Sequence, residues 1–229
     1  MSASAVTTNL NQTTRFYEAS VGKKAVQAVT GCILFLFVFG HMVGNLQIYM
    51  GAEQINEYAV LLRNLHGMIW VVRAVVLVAA ILHVISGIQL WLMNRAARPV
   101  GYYARRRWVE ASFASRTMIY TGLLVLAFVV YHLLHLTFGV VHPSFNHNLD
   151  VYSNVMIAFH QVAAAVIYIV TMIGLGIHIS HGFWSMFQSV GLNHPLYMPV
   201  IQKLALIAAV VFAVGMASIP LSVLTGLIH

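Results

Sequence analysis

Seven of the chain's twelve histidines, His41, His83, His132, His135, His160, His178 and His181, fall inside long apolar stretches. An imidazole at membrane depth is costly to bury and is by default a functional candidate, because a neutral ring nitrogen ligates metals and carries protons. Any one of the seven alone is adequately explained as a hydrogen bond between helices. Their spacing is not. Thr-Gly-x9-His occurs twice in the same register, at Thr30-Gly31/His41 and Thr121-Gly122/His132. His-x3-Gly also recurs, at His83/Gly87 and His178/Gly182. The chain therefore reads as a duplication in which two helices are repeated as two more, each copy with two matched histidines.

Depth pairs these four residues. At helical rise, His41 lies about 25 Å from Lys24 and His132 about 24 Å from Arg116. Counted from the same side, His83 lies about 18 Å from Arg95 and His178 about 15 Å from Gln188. Two histidines thus sit at an outer level and two at an inner one, each pair drawn from different helices. Opposed imidazoles at one level suit bis-histidine haem ligation, since haem iron takes one axial ligand on each face. The reading is two stacked, non-covalent b haems, with His41 and His132 on the outer iron and His83 and His178 on the inner. Gly87 and Gly182, one turn beyond the inner ligands, leave room for a flat macrocycle. Gly31 and Gly122, ten residues before the outer ligands, clear space at the inner level.

His135 and His181 each follow a proposed ligand by three residues, a spacing that also suits a zinc or non-haem iron site. Such a site wants carboxylates, and all five acidic residues lie at or beyond the ends of the apolar stretches. His135 and His181 are instead assigned to a propionate, a quinone or a neighbouring backbone. His160 is the best alternative outer ligand, although it lies outside the repeat.

Five elements must position these groups. The chain is 229 residues, 60% hydrophobic and only 7% charged. A soluble domain carries about a quarter charged residues, which excludes an ordinary cytosolic globule or a disordered tail. The single cysteine, Cys32, excludes an intrachain disulfide, a cysteine-built metal cluster and covalent haem attachment. The +7 charge comes from twelve basic residues in a highly apolar chain and does not make a nucleic-acid binder. Crossing a membrane takes about 20 apolar residues. Five stretches qualify, near 25–50, 67–93, 117–141, 152–187 and 200–228. The expected fold is an all-α membrane bundle of five transmembrane helices binding two stacked haems. Residues 1–21 form a polar, cytoplasmic N-terminal extension, and 22–229 a single transmembrane domain. The fourth stretch exceeds what a membrane requires, so it is expected to tilt or to project into water. Pro220 is expected to kink the fifth.

Arg15, Lys23, Lys24, Arg95, Arg98, Arg105, Arg106, Arg107, Arg116 and Lys203 fall on the side of the N-terminus, and only Arg63 and Arg73 on the other. The positive-inside rule then places the N-terminus in the cytoplasm and the C-terminus outside. The run Arg105-Arg106-Arg107 suits lipid headgroups or a cytoplasmic docking partner.

With these residues in view, the chain resembles the cytochrome b558-type membrane subunit of succinate dehydrogenase and fumarate reductase, in its five-helix, di-haem form. The resemblance runs from about Ser20 to Pro195. It is carried by Ser20-Val21-Gly22-Lys23-Lys24, Thr30-Gly31-x9-His41, Gly44-Asn45 and Asn94-Arg95-Ala96-Ala97-Arg98-Pro99. Ser115-Arg116-x-Met118 and the segment from His178 through Ser180-His181-Gly182 to Gln188 and Gly191 complete it. The resemblance implies the same four ligands and the same pairing, with Gln27 on an inner haem propionate. It implies a cytoplasmic flavoprotein with covalent FAD, an iron–sulfur subunit docked on the basic face, and a quinone, usually menaquinone. Some fumarate reductases of this family carry a Glu two residues before the fourth ligand, linked to proton transfer. Here that position is Gly176, so the proton pathway is not carried over.

The expected function is electron transfer from the iron–sulfur subunit through both haems to quinone in a bacterial cytoplasmic membrane. Succinate chemistry would reside on the partner. Glu53, Glu57, Arg63 and His66 are candidates for an outer quinone site, and Gln27, Arg116 and Ser86 for an inner one. A b-type anchor of a hydrogenase or formate dehydrogenase also needs four histidines, but not this repeat with the Asn-Arg-x2-Arg-Pro boundary. A transporter would show broken helices or charge partners at midplane, and the sequence displays neither clearly.

Overall fold

The computed structural model describes residues 16–97 and 112–228, and over these residues the chain is helical, without strands. The helices are α1 (Ser20–Asn45), α2 (Ala52–Asn64), α3 (Gly67–Ala96), α4 (Phe113–His132), α5 (Val151–His160), α6 (Val162–Ser189) and α7 (Met198–Leu224). A 3-10 turn, Leu46–Met50, prolongs α1, and a π turn, Leu133–Thr137, prolongs α4. Five segments are long and apolar enough to cross a membrane: Ser20–Met50, Gly67–Ala96, Phe113–Thr137, Val162–Ser189 and Met198–Leu224. The protein has the build of a multi-pass membrane protein. Most of the N-terminal extension, with Arg15, and the residues Arg98, Pro99, Arg105, Arg106 and Arg107 lie outside the described residues.

Local chemistry sets several helix ends. Lys23 folds its ammonium back onto the carbonyls of Tyr17 and Glu18, at 2.8 and 3.0 Å, anchoring the chain just before α1. Ser112 caps α4 by accepting the Ser115 amide at 3.1 Å, which satisfies one of the unpaired donors of the first turn. The third span begins at Phe113 and its helix stops at Thr137, short of the expected 141. The chain turns at Gly139, whose φ of 71° suits glycine and whose missing Cβ admits the Phe145 ring.

The fourth apolar stretch is two helices, not one. As a continuous helix, residues 152–187 would run about 54 Å, against a hydrocarbon core of about 30 Å. The chain breaks at Gln161, where ψ is 103°, and the surplus becomes α5. Five of its residues, Asn154, Val155, Met156, Ala158 and Phe159, are buried against the rest of the molecule. The connection between the first two spans also contains a helix, α2, with Ile55 on its buried face. Asn56 ties it to α5, donating to Asp150 Oδ1 at 3.2 Å and accepting the Tyr152 amide at 3.0 Å. Gly44 lets Tyr58 of α2 close on α1, since a Cβ there would meet the ring at 2.7 Å.

Helix α6 is the axis of the bundle, packing on α1, α4, α5 and α7. Ala164, Ala165, Ala205 and Ala209 are buried, and small residues on α6 and α7 allow close backbone approach where lipid gives no hydrophobic drive. Outward residues such as Leu36, Val75, Leu77, Val170 and Leu206 are apolar and exposed. Helix α3 packs chiefly on α1. The diagonal pairs, α1 with α4 and α3 with α6, scarcely approach by backbone. Imidazoles bridge both gaps.

Candidate functional site

At the inner level His83 of α3 faces His178 of α6, with ring centroids 6.3 Å apart and planes at 64°. Each ring is held by the neighbouring member of the repeat. Thr30 Oγ1 on α1 lies 3.2 Å from His83 Nδ1, and Thr121 Oγ1 on α4 lies 3.2 Å from His178 Nδ1. The following glycines make room for the same rings. A Cβ on Gly31 would stand 3.2 Å from His83 Cε1, and one on Gly122 would stand 3.4 Å from His178 Cε1. Gly31 and Gly122 thus act on the imidazoles themselves, beside any space they clear for a macrocycle.

Gln27 lies at this level too. Its side-chain nitrogen is 3.1 Å from His83 Nε2, and its carbonyl oxygen accepts from Ser86 Oγ at 2.5 Å. A metal at His83 Nε2 would replace the first of these bonds. Gly87 borders the Gln27 amide, where a Cβ would meet Nε2 at 3.3 Å, whereas Gly182 has only Met118 Cε at 4.0 Å. Arg116 is exposed in the first turn of α4.

At the outer level His41 of α1 faces His132 of α4, with centroids 5.8 Å apart and planes at 82°. Phe37 stacks beside His41 at 5.7 Å, and Phe128 beside His132 at 5.8 Å. Tyr168 of α6, buried at 6% exposure, sets its hydroxyl 3.2 Å from the Nδ1 of both His132 and His135. The π turn after His132 belongs to the class of helix irregularity that is common at functional sites. A cavity of about 30 Å³, lined in part by His41, Asn45, His132 and Tyr168, adjoins the pair.

His160 does not join the outer group: it is exposed, and its Nδ1 pairs with the Met156 carbonyl of its own helix at 2.7 Å. Glu53, Glu57, Arg63 and His66 are all exposed on or beside α2. His181 packs edge-on to Trp184, with centroids 4.8 Å apart, and its Nδ1 is a buried polar atom with no hydrogen-bond partner.

The donor set and spacing fit haem. With nitrogens bound at about 2 Å, two imidazoles on opposite faces of one metal have ring centroids about 6 Å apart. Both pairs match that separation. Among the described residues no group of three or more His, Cys, Asp or Glu could hold a metal ion by itself. Two imidazoles at each level would supply the two protein ligands that a haem iron takes. The orphaned Nδ1 of His181 suits a polar group of a bound molecule.

Tyr168 is the residue that sequence reasoning missed. A signal existed: it precedes His178 by ten residues, as Gly31 precedes His41 and Gly122 precedes His132. That spacing carries a residue from one level to the other. The threonines of the repeat were visible, but not their contacts across helices. No family model, curated protein or solved structure matches the chain.

Proposed function

We propose that the chain is the membrane-anchoring di-haem cytochrome b subunit of a succinate:quinone oxidoreductase. The observation that carries this reading is the alternation of the two imidazole pairs, α1 with α4 at one level and α3 with α6 at the other. His41 and His132 would hold the outer iron, His83 and His178 the inner. Haem, when bound, supplies one-electron transfer, while ligation, separation and a low-polarity surround come from the protein.

The chain's own residues have three tasks. The paired imidazoles fix two cofactors one above the other, between partners on the two sides of the path. Phe37 and Phe128 flank the outer ligands with apolar rings, and Thr30, Thr121 and Tyr168 hold the ligand nitrogens that face away from a metal. The partners are an iron–sulfur subunit on the cytoplasmic basic face, a flavoprotein bearing covalent FAD, and menaquinone or another quinone in the lipid. Dicarboxylate chemistry belongs to the flavoprotein. The location is a bacterial cytoplasmic membrane, with the N-terminus inside. The orphaned His181 nitrogen and the hydrogen-bonded pair of Gln27 and Ser86 favour propionate or quinone contacts at the inner end.

The test is a reduced-minus-oxidised spectrum with pyridine haemochrome quantification on the purified chain, repeated on His41→Ala and His83→Ala. The expected result is two b haems per chain, with each substitution removing a different one. One haem or none overturns the paired-ligand reading. Covalent flavin co-purifying with the chain separates this anchor from that of a hydrogenase or formate dehydrogenase.

A further inference from the structure

The two threonines of the repeat make one arrangement twice. Both are buried, Thr30 at 4% and Thr121 at 8% exposure. Each has one hydroxyl proton, and each spends it on its own helix. Thr30 Oγ1 donates to the Val26 carbonyl at 2.7 Å, while Thr121 Oγ1 has the Thr117 and Met118 carbonyls at 3.1 Å. With the proton committed there, the oxygen can only accept from the imidazole 3.2 Å away. Acceptance requires a hydrogen on Nδ1 of His83 and of His178. At His83 the opposite nitrogen agrees. The Gln27 side-chain nitrogen, a donor only, lies 3.1 Å from Nε2 and needs the lone pair there.

We propose that Thr30 and Thr121 are matched positioning residues that hold His83 and His178 as Nδ1–H tautomers, so that both present Nε2 lone pairs to the same metal. The bond made by one imidazole nitrogen decides which nitrogen is metallated, and acceptance from the N–H raises the basicity of the other. The repeat is then functional in a crossed sense: the Thr-Gly of each outer-ligand helix serves the inner ligand of the next spanning helix. The proposal rests on the two-haem reading above.

The test uses the full chain in haem-sufficient membranes, with haem count and potentiometric titration of both haems as readouts. Thr30→Val and Thr121→Val keep the shape and remove the acceptor; Thr30→Ser and Thr121→Ser keep the acceptor. A less basic ligand favours ferrous iron, so each valine variant is expected to raise the midpoint potential of one haem, the same in both, or to lose that haem. Each serine variant should restore both haem and potential. Unchanged potentials in the valine variants overturn the proposal. Serine variants that behave like valine overturn it as well, because shape rather than the hydroxyl would then matter. Shifts in different haems would also overturn it. A wild-type chain without two haems removes the two-haem reading instead, and is recognised before any variant is compared.

Discussion

The hydroxyl of Tyr168 lies 3.2 Å from His132 Nδ1, and on its other side it is 3.2 Å from His135 Nδ1. One hydroxyl proton serves two nitrogens, so the bonds must run in one direction. If His132 ligates a metal through Nε2, as proposed, its Nδ1–H donates to Tyr168 and Tyr168 donates to His135. Tyr168→Phe breaks both bonds inside a buried cluster. The expected stability loss is about 1–3 kcal/mol, seen as a lower midpoint in thermal loss of haem. The outer haem's midpoint potential should rise while the inner stays fixed. A uniform shift of both would contradict the assignment.

The ring planes of the outer pair stand at 82°, and those of the inner pair at 64°. Steeply crossed axial ligands leave the ferric iron's π-type d orbitals nearly degenerate. On the two-haem reading, and with these ring angles kept around iron, electron paramagnetic resonance of the oxidised chain should give strongly anisotropic low-spin signals, the outer haem being the more extreme. His132→Ala should abolish the more anisotropic of the two. Two ordinary rhombic spectra would show that the rings turn parallel around iron.

Gly176 of α6 is buried. A Cβ here would stand 3.0 Å from Ala213 Cβ and 3.2 Å from the Ala209 carbonyl. The glycine is where α7 lies against α6, and a larger side chain requires α7 to give way. Gly176→Val should cost about 1–3 kcal/mol through overpacking, and Gly176→Glu more, by pressing a carboxylate onto a carbonyl. Thermal denaturation followed by haem absorbance measures both. A Glu variant as stable as the wild type would mean that α7 is free to move aside.

Asp150 caps α5, accepting the Ser153 amide at 3.1 Å and the Asn56 side chain at 3.2 Å. Hydrogen bonding from Ser153, first through its side chain and then its amide, holds the Asp150 carboxyl below its ordinary value, with Asn56 adding to the effect. A depressed folded value means that the stabilisation is present above the unfolded value, near 4. It is lost as pH falls through the lower folded value. Asp150→Ala should remove about 1 kcal/mol at neutral pH and flatten the acid limb of the stability profile. An unchanged acid limb would place that sensitivity elsewhere.

Much of this arrangement is local and was legible in order. Apolar length marks the five spans, because about 20 residues of helix cross a membrane whatever their neighbours. Rise per residue sorts His41 and His132 from His83 and His178, because depth along a helix is a matter of counting. The repeat exposes the correspondence of the four. What depends on helix rotation and on distant partners was not legible. Depth cannot say that Thr30 reaches His83 on another helix, or that Gly31 clears that ring. Nor does it say that Tyr168, 36 residues along the chain, closes on His132. The break at Gln161 follows from α5 folding onto α2 and α7, contacts that no local pattern encodes. Spacing along one helix places a residue in height, while its direction around the helix axis acquires meaning only when the other helices are packed.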